Sequence, residues 1–204
     1  MLGCLAEKEA TVPDAYPLSL NALRQACNQS SSRDPVVAYD DLTIQRALDT
    51  LKGRGLVRFV HPAHGERTTK FRHVLDEQLS LSRAELAVLT VLALRGPQTI
   101  PELRSRTERQ YPFADVEEVA STLRALAARE DPLAVDLGRL PGQREGRWMH
   151  LLAGPVDVEA LAVAPVRAPA GPAAGPRADL AAELAELRAR VERIERELGL
   201  DLPS

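Results

Sequence analysis

Apolar residues fall at helical spacing through the body of each half of the chain and give way to short β-rich runs at its end. Ile44, Leu48 and Leu51 lie on one face of a helix opened by Asp40 or Asp41, and Ser19 caps the helix before it. In the second half Ser82 with Glu85 forms a capping box, Gly96-Pro97 ends that helix, and Thr99 with Glu102 opens the next with a second box. Residues 56–60 and 68–74 read as strands flanking a turn that holds His61-Pro62 and Gly65; residues 133–137 and 147–152 flank Pro141-Gly142 in the same way. Each half reads as three helices and then a two-stranded hairpin.

The halves also align residue by residue. Residues 2–8 match 89–95, 20–24 match 100–104, 44–51 match 119–126, and 70–75 match 147–152, always in the same order. Three helices and a β-hairpin wing make a winged helix-turn-helix. The expectation is a mainly α fold with small β wings: tandem domains over residues 1–77 and 78–153, a Pro/Ala/Gly linker over 154–177, and a C-terminal helix over 178–199. On that last helix Leu184, Val191 and Leu198 occupy heptad position a, and Leu180, Leu187 and Ile194 position d. Glu183 faces Arg188 and Arg190 faces Glu195 across a parallel pair, so a homodimer is one reading. A helix folded back on its own chain is the other, since fewer than three heptads are marginal alone.

Three segments carry a family resemblance: residues 14–21 (Asp-Ala-Tyr-Pro-Leu-Ser-Leu-Asn), 26–30 (Ala-Cys-Asn-Gln-Ser) and 32–36 (Ser-Arg-Asp-Pro-Val). With residues 103–106, 119–126 and 147–151, they resemble the YceH-like family of uncharacterised bacterial proteins over residues 1–153. The resemblance implies tandem winged helices and leaves function open. Against that family and against its own second copy the first helix looks clipped, because Ser82 precedes Leu89 by seven residues and nothing comparable precedes Leu2. The expectation is a natural start further upstream or a short first helix, leaving core positions partly uncovered at about 1.5–3 kcal/mol per missing large apolar side chain.

Composition narrows the function classes. The net charge of −3 arises in the tail: residues 1–77 and 78–153 each hold 10 Lys+Arg against 10 Asp+Glu, and residues 154–204 hold 6 against 9. A nucleic-acid footprint therefore has to come from local clustering. The longest apolar stretch, residues 86–94, is too short to span a bilayer, and Met1-Leu2-Gly3-Cys4 carries no leader pattern, so a cytoplasmic protein without a membrane partner is expected. Cys4 and Cys27 lack paired spacing and read as buried free thiols. His61, His64, His73 and His150 form no metal motif, and no glycine-rich phosphate loop occurs, so no enzyme, metal or cofactor is expected. His73 and His150 hold equivalent strand positions, which points to packing or hydrogen bonding. Trp148 reads as core, with exposed stacking as the alternative.

Double-stranded DNA is the leading partner, because the third helix of a winged helix enters the major groove while the wing touches the backbone. Gln45 and Arg46 face away from the apolar stripe toward base edges; Arg67, Lys70 and Arg72 on the wing suit phosphates, and Arg24 and Arg33 add to them. The wing cations read equally well as a solvated hairpin. Asp40, Asp41 and Asp49 on the third helix, and Glu117 and Glu118 in the second half, oppose phosphate and favour the alternative, a protein-interaction scaffold. The polar loop over residues 28–35 serves either partner or is only a turn.

Overall fold

The computed structural model describes residues 1–61, 68–139 and 142–157. Arg67, His64, most of the linker and the heptad seam Leu180, Leu184, Leu187, Val191, Ile194 and Leu198 lie outside the described residues. All described residues belong to one compact unit, Met1–Val163, mainly helical with small antiparallel sheets.

The first half runs α1 (Leu2–Thr11), β1 (Leu18–Ser19), α2 (Leu20–Cys27), α3 (Asp41–Gly53), β2 (Val57–Val60) and β3 (Lys70–His73). A short α4 (Leu75–Leu79) leads into the second half, which runs α5 (Arg83–Arg95), α6 (Ile100–Thr107), α7 (Val116–Ala127), β4 (Ala134–Asp136) and β5 (Trp148–His150). The caps sit where the side chains demand them. Ser19 accepts from the Ala22 N–H and Asp40 from the Thr43 N–H, and Ser82/Glu85 and Thr99/Glu102 close reciprocal boxes. Gly96 ends α5 at φ 69°, the left-handed region a glycine enters without strain.

The repeat extends to individual hydrogen bonds. Leu56 N–H donates to Leu51 O and Val74 N–H to Leu56 O; at the equivalent places Leu133 N–H donates to Leu126 O and Leu151 N–H to Leu133 O. His73 pairs with Val57 and His150 with Ala134, the same register. β1 adds a third strand to the first sheet, in the order β1-β3-β2, with Leu18 opposite Phe71. In the second half that strand shrinks to one bridge, Gln98 opposite Trp148, again just before the capping residue of the next helix. Neither short strand nor α4 was predicted; all are too brief to show periodicity.

Two cores flank α5. One gathers Leu5, Leu23, Ile44, Leu48, Val57 and Phe71, and takes Leu94 from α5. The other gathers Val88, Leu89, Leu92, Leu103, Val119, Leu123 and Leu126. Apolar residues on all sides of α5 are thereby covered, as a helix without a polar face requires. α1 approaches closely: a Cβ on Gly3 would stand 3.0 Å from Leu94 Cγ, so glycine there sets the helix separation. The Asp34 N–H donates to Leu94 O at 2.9 Å, fixing the 28–35 loop to the end of the same helix. α1 is the shorter partner, ten residues against thirteen in α5, and Met1 and Leu2 pack half-buried against the first core. Trp148 packs against the second core.

Candidate nucleic-acid interface

α3 is built to bury one face and display the other. Ile44 and Leu48 are fully buried, and Leu51 packs half-buried beside them. Leu42, Gln45, Arg46, Asp49, Thr50 and Lys52 all face solvent. Gln45 offers a paired donor and acceptor and Arg46 a guanidinium fork. Arg46 has no carboxylate within ion-pair distance among the described residues. Near the far end of the helix Lys52 Nζ sits 4.2 Å from the centre of the Phe59 ring, which steers that cation toward β2.

The other predicted contacts are scattered. Arg24 on α2 is half-exposed and spends its guanidinium on Asp41 at 2.9 Å and Asn21 at 2.9 Å. Arg72 on β3 pairs with Glu77 at 2.9 Å, and Arg58 on β2 reaches the same carboxylate at 3.0 Å. Lys70 is half-buried opposite Val60 and Ser19. Arg33 is not at the surface at all. It is 8% exposed, and donates to both Glu7 oxygens at 3.1 and 2.6 Å, to the Ala26 and Ser32 carbonyls at 3.0 and 2.8 Å, and to Gln29 Oε1 at 2.7 Å. The structure thus brings Gln45 and Arg46 together on one open face. It takes Arg33 inward, where a phosphate does not reach it.

The equivalent helix of the second half is different. Asp115 caps α7, and Glu118 is occupied by the Tyr111 hydroxyl at 3.0 Å and the Ala114 N–H at 2.8 Å. Glu117 pairs with Arg124 along the helix. The acidic opening of α7 is therefore structural, and its one outward cation is neutralised. Sequence reasoning missed Glu77, which neutralises two hairpin arginines from the unpredicted α4, and Glu7, whose partner lies 26 positions away.

His73 and His150 act in packing. His73 is buried; its Nδ1 accepts the Leu75 N–H, its Nε2 stands 2.6 Å from Glu9 on α1, and its backbone N–H donates to the Tyr16 hydroxyl at 2.8 Å. His150 is half-buried and burial lowers its pKa. Among the described residues no group of three His, Cys, Asp or Glu is placed to hold a metal ion, and no helix is long and apolar enough to cross a membrane.

These features define a mainly helical protein with small antiparallel sheets, a duplicated core plan and one open polar helix. Residues 1–143 match the family described as "Protein of unknown function, DUF480", and the chain belongs to that family. It is 48% identical to a UPF0502 protein of Dechloromonas aromatica over 200 residues, covering 98% of this chain and 88% of the relative. To a UPF0502 protein of Geobacter metallireducens it is 51% identical over 159 residues, covering 78% and 72%. To one of Burkholderia multivorans it is 47% identical over 210 residues, covering 98% and 87%. This is the uncharacterised bacterial family that the N-terminal motifs resemble.

Proposed function

We propose that the protein is a cytoplasmic tandem winged-helix module that binds double-stranded DNA through α3 of its first half and does no catalysis of its own. The observation that carries this reading is the outer face of α3, where Gln45 and Arg46 stand exposed and Arg46 has no carboxylate within ion-pair distance among the described residues. Such a pair suits the hydrogen-bonding edges of bases in a major groove. α7, with Glu117 and Arg124 paired, serves as scaffold. The heptad pattern of the C-terminal segment supports pairing of two copies, which matches a two-half-site target.

The test is fluorescence anisotropy of a labelled mixed-sequence duplex across a salt series, with and without residues 164–204. Binding should fall steeply as salt rises, and Gln45→Ala/Arg46→Ala should cost about 1–3 kcal/mol per lost base contact. No binding at low salt, or binding untouched by the double substitution, would sink it.

A second reading, a protein-interaction scaffold, draws on Val36, Tyr39 and Leu42. These exposed apolar residues lead into α3, and Leu42 is 57% exposed. Asn28 clamps the Tyr39 backbone through two hydrogen bonds of 2.8 Å, so the segment is held ready and ordered. A chain that works only through this apolar surface gives no salt-sensitive duplex binding, which separates the two readings in the same assay.

A further inference from the structure

Where α1, the 28–35 loop, α5 and α6 converge, the surface sinks into a recess of about 190 Å³. Lys8, Arg95, Arg106 and Arg109 line it, together with Glu7, Ser31 and Ser32. These cations come from both halves of the chain, and no reading of the α3 surface uses them.

The charges here are under-compensated. Glu7 is claimed by Arg33 at 2.6 Å, with Lys8 at 3.7 Å, and Glu102 is shared between Arg147 at 2.8 Å and Arg106 at 3.4 Å. Arg95 and Arg109 have no carboxylate within ion-pair distance among the described residues. Arg95 is half-buried, and among the described residues its guanidinium makes one hydrogen bond, to the neutral Ser32 hydroxyl at 2.6 Å. A guanidinium carries five N–H donors, so most of them remain for another acceptor. Burial first, and then the nearby Arg106 charge, push the Arg95 pKa down by more than Glu7 and Glu102 raise it. Ser32 is held at φ 58°, left-handed backbone that is uncommon for a non-glycine residue. Its carbonyl accepts from Arg33 while its hydroxyl accepts from Arg95.

We propose that this recess is a binding site for the phosphate group of a small soluble molecule, with Arg95, Arg106 and Arg109 holding the oxyanion against Lys8 and the Ser31 and Ser32 hydroxyls. Phosphate matches the guanidinium fork in two-point hydrogen bonding. The volume equals roughly six waters at about 30 Å³ each, room for a phosphate with a modest organic group. Because the walls come from both halves, the ligand bridges them and stabilises their present arrangement. This inference does not depend on DNA binding by α3.

The experiment uses the full chain and pyrophosphate as the probe, titrated calorimetrically at constant ionic strength with chloride as the balancing anion. Arg95→Gln/Arg109→Gln and Arg124→Gln, the latter on α7, are measured in parallel, with circular dichroism melts as a folding check. The expected result is saturable binding that weakens about tenfold or more in the double variant and is unchanged in Arg124→Gln. Because the exposed Arg109 makes no hydrogen bond or ion pair among the described residues, Arg109→Gln alone gives a partial loss even if the double variant folds poorly. Absence of saturable binding at millimolar pyrophosphate overturns the proposal, as does equal weakening in Arg124→Gln, which would mean bulk charge attraction. A third result also overturns it: a DNA duplex that displaces pyrophosphate and loses affinity by the same factor in the double variant would assign these cations to nucleic acid.

Discussion

Replacing Glu7 by Gln strips the buried Arg33 guanidinium of its counter-charge and leaves the charge in place. Breaking one side of a buried ion pair costs about 3–5 kcal/mol. Two observations lower that figure. The Glu7 side chain keeps 15% of its exposure, and Arg33 retains the Ala26 and Ser32 carbonyls and Gln29 as acceptors. The expected loss is about 2–3 kcal/mol, which for a unit of this size lowers Tm by about 4–12 °C. Arg33→Met removes the buried charge itself, and Glu7 then keeps Lys8 at 3.7 Å as a partner, so this variant should lose less. Glu7→Gln/Arg33→Met should fall short of the summed single losses by about 1–3 kcal/mol of coupling. Urea unfolding followed by circular dichroism on the four chains measures the cycle, and the salt slope of duplex binding is taken on the same samples. A cycle with zero coupling, together with an Arg33→Met chain that melts normally and shows a shallower salt slope, would return Arg33 to the surface and refute the reasoning.

Leu94→Ala in the second half should destabilise the first core by about 2–4 kcal/mol, because Leu94 is 7% exposed within it. The readout is faster thiol labelling of Cys4 and Cys27, both buried in that core, in an otherwise folded chain. Tyr16→Phe leaves the His73 N–H without its acceptor and should cost about 1–3 kcal/mol in denaturant unfolding, with little change in fold. Burial lowers the His150 pKa from its ordinary 6.5, so below that value the unfolded chain takes up a proton the folded chain refuses. His150's contribution is therefore complete above pH 6.5 and is lost as pH falls toward the folded value. His150→Gln should flatten the stability profile in that window, and an unchanged slope would show that another group titrates there.

The starts of α2, α3, α5 and α6 were legible because capping chemistry is local: Ser19, Asp40, Ser82/Glu85 and Thr99/Glu102 each satisfy backbone donors within three residues. The inward stripe of α3 was legible for the same reason, and with it the outward place of Gln45 and Arg46. Arg33 was misjudged because its burial depends on Glu7, Ala26 and Gln29 closing around it, and nothing in a polar loop announces such a ring. Arg72 was placed on the correct strand, but its neutralisation comes from α4, five residues long and without a periodic signature. The docking of α1 on α5 left one trace. Apart from Thr90, residues 86–94 are apolar on every side, which calls for cover on more than one face, although the pattern does not say by what.

That shared helix has a practical consequence for dissecting the protein. A fragment ended after residue 77 would keep its hairpin and three helices yet lack a wall, leaving Leu5, Leu23 and their neighbours open where Leu94 had closed them. The first half cannot be shuffled into another protein, or assayed as a free-standing piece, without a substitute for α5, and the second half, which carries α5, would need a cover for the face that α1 occupies. The two cores are rooms with one partition, and a change on one side of it has to suit what the other side can accommodate.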